Sequence, residues 1–136
     1  QTKIRDIVLR RLDGEALRLS VLKPDGEAVE GTMAELWPLL EQNTPLYWPG
    51  FSGTLTVERP GMTPLQIDAD AQLGEQNLPP AMLIWHRPGT DSICFEPVVG
   101  FRVGDNGKDN QGVHLKPGET VRLETVISLL RSSTQE

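Results

Sequence analysis

The sequence predicts a mainly β chain: an antiparallel β-sandwich, or a compact open barrel, with one short N-terminal helical segment. Three observations lead there. From about residue 45 onward, apolar residues recur at every second position, as in Leu65, Ile67, Ala69 and Ala71 against Gln66, Asp68 and Asp70. That is the period of a strand with one face buried. Second, the alternating segments end in turn chemistry such as Lys23-Pro24-Asp25-Gly26 and Arg87-Pro88-Gly89, where proline presets φ and glycine supplies the conformations a β-turn needs. Third, only Thr32–Gln42 combines helical spacing with a capping signature.

Taken in order, Thr2–Leu12 carries Ile4, Ile7, Val8, Leu9 and Leu12 between charged residues, a spacing that favours a short helix over a strand. Asp13-Gly14 turns the chain, and Leu17, Leu19 and Val21 alternate as a strand closed by Pro24-Asp25-Gly26. In Thr32–Gln42, Thr32 and Glu35 are spaced for a capping box, and Met33, Leu36, Trp37, Leu39 and Leu40 make one apolar face. Pro38 lies deep enough to kink or split that helix. Beyond Asn43-Thr44-Pro45 only β structure is expected: strands at 54–57, 65–71, 81–86 and 92–96, with Gly74–Pro80 as a loop. Arg87–Thr90 should join the strands on either side of it into a hairpin. Phe101–Val103 reads as a short edge strand, 104–112 as a polar loop, and 121–129 as the most regular strand.

At 136 residues the chain is expected to form one domain. Within it, 1–44 is a mixed lead-in, 45–130 the sandwich core and 131–136 a polar tail. Acidic residues outnumber basic ones 19 to 13, giving a net charge of −6. The bases are scattered, so neither nucleic acid nor an anionic membrane surface is an expected partner. No apolar run approaches the roughly 20 residues that cross a bilayer. The single Cys94 forms no intrachain disulfide, and with two separated histidines it offers no zinc spacing. No cofactor is expected. A cytoplasmic location fits this cysteine usage, although a periplasmic or exported protein poor in cysteine would look the same.

The chemistry converges on Asp91–Gly100. Alternation turns Ile93 and Phe95 one way and Ser92, Cys94 and Glu96 the other, with Pro97 stopping the strand. A carboxylate half-shielded beside an apolar surface at the rim of a sheet has its pKa raised by burial and can serve as a general base, with a solvent-facing Glu beside a turn proline as the competing role. Cys94, mid-strand among apolar neighbours, reads as inert packing. His86, at the end of the preceding strand, is a candidate catalytic residue, with a surface or hydrogen-bonded role as the competing one. Tyr47, Trp48 and Phe51 cluster in sequence, and Trp48, Phe51 and Trp85 are the candidate rings for stacking on a sugar, with core packing as the competing role and the favoured one for Trp85. The acidic pair Asp68 and Asp70 has no third ligand and reads as a solvated face.

Three motifs, in order, carry a resemblance. Gly50-Phe51-Ser52-Gly53 looks like a Gly-Trp-x-Gly turn, Ile93-Cys94-Phe95-Glu96-Pro97-Val98 like a hydrophobic-Cys-hydrophobic-Glu-Pro strand, and Gly112–Glu119 like a closing Gly-x-x-Leu-x-Pro-Gly-Glu. Over about 45–130 the chain resembles the C-terminal part of the aldose 1-epimerase (galactose mutarotase-like) family. The resemblance implies a β-sandwich that binds a monosaccharide, with Glu96 as the base that removes the anomeric proton. On that resemblance the chain would be a carbohydrate-binding domain related to these isomerases: an epimerase itself, or a fragment or subunit of one. Family members are about twice this length; residues 1–44 contain no histidine, and Pro45 stands where the family's sugar-binding Asp would fall. The acid would then be His86 or come from a partner chain. The rival expectation is a non-catalytic binding or accessory module, docking on a protein partner through the helix around Leu36, Trp37 and Leu40, or assembling as a homo-oligomer.

Overall fold

A computed structural model describes residues 4–11, 14–100 and 113–130. The expected edge strand at 101–103, the loop at 104–112 and the tail from 131 lie outside them. The described chain is mainly β and folds as two antiparallel sheets facing each other. Sheet I has the spatial order β1 (Val8–Arg10), β5 (Thr54–Glu58), β6 (Leu65–Leu73) and β10 (Val121–Leu129), with β7 (Gln76–Leu78) also paired to β6. Sheet II runs β3 (Ala28–Gly31), β2 (Leu19–Leu22), β4 (Leu46–Trp48), β8 (Ala81–His86) and β9 (Ile93–Val98).

Alternation decides which residues enter the core. Leu9, Leu55, Val57 and Ile67 from sheet I meet Leu19, Val21, Leu46, Met82 and Ile84 from sheet II. Each fully buried aliphatic side chain contributes roughly 2 kcal/mol of burial free energy. The helix α1 (Met33–Glu41) adds Met33, Leu36, Trp37 and Leu40 to the same core. Its apolar face is therefore spent inside the chain, which removes the expected docking surface on that helix. No helix of the described residues is long and apolar enough to cross a membrane.

The capping box forms as the sequence predicts. Thr32 Oγ1 accepts from the Glu35 backbone N–H at 3.3 Å, and Thr32 N–H donates to Glu35 Oε1 at 2.9 Å. That N–H, followed by the Arg18 guanidinium, holds the Glu35 carboxyl below its usual range. Thr32→Ala should cost about 1 kcal/mol, read from the denaturant midpoint. Because the folded pKa of Glu35 is the lower one, its contribution is complete above the ordinary carboxylate range and is lost as pH falls through the folded value. Glu35→Gln should therefore flatten the acid limb of stability against pH.

The structure corrects several expectations. The N-terminal segment is not a helix but a 3₁₀ turn at Ile4–Asp6 followed by β1, whose Leu9 lies opposite Val57 in β5. Cross-strand pairing there outweighs an ambiguous local period. Helix α1 runs unbroken through Pro38. The missing N–H costs one hydrogen bond in a nine-residue helix, and Pro38 sits on its exposed side. Strands β3, β4 and β7 join those expected. Strand β9 continues past Glu96 to Val98 with Pro97 inside it, and among the described residues β9 is the last strand of its sheet, the position where proline is tolerated.

Candidate functional site

The β8–β9 hairpin fixes where the candidate groups point. Its register pairs His86 with Ile93, Ile84 with Phe95 and Met82 with Pro97 on the inner face. Trp85 with Cys94, Leu83 with Glu96 and Ala81 with Val98 occupy the outer face. Glu96 and His86 thus lie on opposite sides of one sheet, and this chain does not bring the expected base and acid together.

His86 is a core residue, only 1 % exposed. Its ring packs on Trp37 at 4.7 Å between centroids. Its Nδ1 lies 2.6 Å from the Ser92 carbonyl oxygen, and since a carbonyl can only accept, Nδ1 carries the proton. Its Nε2 is buried 3.7 Å from Glu41 Oε1, which already accepts from Trp37 Nε1 at 2.7 Å. The arrangement ties α1 to the hairpin and gives the ring no access to a ligand.

Trp48 and Phe51 are also interior. Trp48 shares the inner face of β4 with Leu46, and Phe51 closes the following 3₁₀ turn with its ring 5.7 Å from that of Trp48. Neither ring can stack on a sugar without opening the core. Both are packing residues, whereas the strand register turns Trp85, expected to pack in the core, to the outer face with Cys94, where it is the ring left outside. It is partly exposed, and its Nε1 donates to Asn43 Oδ1 at 2.8 Å.

On the outer face Glu96 is exposed, not half-shielded at the sheet rim as the sequence suggested, because its strand turns it away from the opposing sheet; it has no hydrogen bond or ion pair to any described residue. It stands diagonal to Trp85 across the β8–β9 ladder, a separation of roughly 7–8 Å between Cα atoms. Cys94, expected as packing, is exposed between them. Leu22, Leu83 and Val98 pack around the buried Tyr47 and Ala81 on the same face, and burial pushes the Tyr47 phenol up. Asn43 was missed by sequence reasoning. Its positive φ of 61°, just past the end of α1, turns its amide toward Trp85, and an Asn closing a helix is the signal that could have found it.

A cavity of about 340 Å³ opens on the other side of β9, between the sheets. Ile7, Val57, Leu65, Ile67, Ile93 and Phe95 line it, and Arg59 and Asp91 are its charged groups. Asp91 Oδ1 accepts from the Ile4 N–H at 2.9 Å. Arg59 donates through Nη2 to the Thr63 carbonyl at 2.6 Å, while its Nε is buried without a partner. Glu96 does not line this cavity. Among the described residues no cluster of three or more His, Cys, Asp or Glu is placed to hold a metal ion. Comparison with protein-family models, with curated proteins and with solved structures finds no significant match.

Proposed function

We propose that this chain is a carbohydrate-binding β-sandwich whose site is the outer face of the β8–β9 hairpin. The supporting observation is the diagonal placement of a partly exposed indole, Trp85, and a carboxylate with no partner among the described residues, Glu96. A sugar lays its C–H face on the ring, and its hydroxyls donate to Glu96. The side-chain NH₂ of Asn43, whose Oδ1 is already engaged by Trp85, donates to a second sugar oxygen. This reading keeps the binding function that the mutarotase-like motifs imply and assigns Glu96 first as a hydroxyl acceptor. Mutarotation would need an acid other than His86 on the far side of the ring.

Titration with glucose and with galactose, followed by tryptophan fluorescence or calorimetry, tests it. Trp85→Ala and Glu96→Gln should each weaken binding roughly tenfold, the equivalent of about 1.4 kcal/mol, with unfolding midpoints little changed. Unaltered affinity in both variants sinks the proposal. Polarimetry of the anomers separates catalysis from binding: acceleration abolished by Glu96→Gln would add the isomerase step.

A second reading, a non-catalytic module for a different ligand, is favoured by the cavity. Its apolar walls and the unpaired Arg59 Nε suit a molecule with an apolar body and an anionic end. Such a ligand would perturb Ile67, Ile93 and Phe95 and leave Trp85 and Glu96 untouched.

A further inference from the structure

Among the described residues, the longest exposed strand is β10. It is the last strand of sheet I, paired along its full length with β6 on one side and with no described strand on the other. Long edge strands are normally blunted by proline, a bulge or an inward-pointing charge, and Val121–Leu129 contains none of these on its inner row. Leu123, Ile127 and Leu129 lie on the same face as the core residues Ala71 and Ile67, yet they are 38 %, 64 % and 65 % exposed. Among the described residues sheet II ends at β9.

The outer row carries an unresolved electrostatic conflict. Glu124 stands directly opposite Asp70 of β6, and like charges in that position are destabilising. Neither carboxylate, nor Arg122 two positions away, has a hydrogen bond or ion pair among the described residues.

We propose that two copies of this chain join through the free edges of β10, antiparallel about a two-fold axis at Leu123. That register puts Leu123 against Leu123 of the second copy on the inner face and Val121 against Thr125. On the outer face it sets Arg122 opposite Glu124 twice, once on each side of the axis. Each Glu124 then has a guanidinium on the side away from Asp70. A two-fold at Thr125 would pair more residues, but it places Glu124 opposite Val126 and leaves the two carboxylates facing each other unrelieved. The complementary charges select the Leu123 register. Each copy has a net charge of −6, and this repulsion is screened beyond about 8 Å at physiological ionic strength.

Light scattering or sedimentation over a range of concentrations in physiological salt tests the pairing. The expected mass is twice that of the monomer. Arg122→Glu or Glu124→Arg alone should weaken dimerisation at least tenfold, and the double exchange R122E/E124R should restore it. In a Cys94→Ser background, Leu123→Cys should form a disulfide-linked dimer on oxidation and Leu129→Cys should not. The cysteine pair reads the same interface independently of the charge changes. A monomeric mass at every concentration, or a dimer indifferent to both single reversals, overturns the proposal. A dimer that the single changes split and the double exchange fails to restore overturns it too, by removing the register.

Discussion

Phe51→Ala should destabilise the fold by about 3–5 kcal/mol, the usual cost of emptying a buried aromatic site. Phe51 is 1 % exposed and anchors the 3₁₀ turn between β4 and β5. Its ring meets Trp48 at 5.7 Å with the planes tilted by 55°, a geometry that adds to simple area burial. Because Phe51 seats a turn between strands of different sheets, the surroundings cannot collapse into the gap without shifting β4 or β5. A typical domain is stable by only about 5–15 kcal/mol, so this one change should remove a large fraction of the total. Guanidinium unfolding followed by circular dichroism measures it, with Trp85→Ala as the control expected to fall within about 1 kcal/mol. If Phe51 were instead a surface ring waiting for a sugar, its loss would leave the midpoint in place.

Gly53→Ala should cost about 2–3 kcal/mol through the backbone alone. Gly53 has φ +104°, where a Cβ is sterically opposed. That Cβ would also lie 3.1 Å from the Ala69 carbonyl oxygen. The approach is fixed, because the Gly53 carbonyl accepts from the Ala69 N–H at 2.8 Å, so no side-chain rotation can relieve it. Gly89 supplies the comparison: it has φ +81° but nothing within 4 Å of the added atom. Gly89→Ala should therefore cost only about 1 kcal/mol. The difference between the two midpoints isolates the close strand-to-strand contact, and equal losses would remove it from the account.

The sequence was most legible where one local rule acts alone. Thr32 and Glu35 announce the helix start because a capping box needs only residues three apart. The Pro-Gly turn before β9 announces its hairpin in the same way. The N-terminal segment failed because Ile7, Val8 and Leu9 satisfy either period, and only the long-range pairing with β5 decides between them. Strand β3 was missed because Ala28-Val29-Glu30-Gly31 has one strong β-former, and its identity comes from its pairing with β2.

The candidate site divides along the same line. Alternation placed Glu96 and Cys94 opposite Ile93 and Phe95, and the structure agrees. The other half of the hairpin was illegible because Met82-Leu83-Ile84-Trp85 is continuously apolar. Nothing in such a run says which residues face inward, so His86 could be set beside Glu96 when it belongs on the reverse side. Trp48 was misassigned because clustering with Tyr47 and Phe51 weighed more than its position two residues from Leu46, which puts it inward. The exposure of β10 depends on what packs across from it, which no local pattern encodes.

The most direct test of the carbohydrate reading is an amide and indole NMR titration of the chain with galactose and with glucose. The account predicts saturable shifts confined to the Trp85 indole N–H, the Asn43 side-chain amide and the backbone of Leu83, Cys94 and Glu96. Spectra unchanged at saturating sugar, or shifts gathered at Ile67, Ile93 and Phe95 instead, would contradict it.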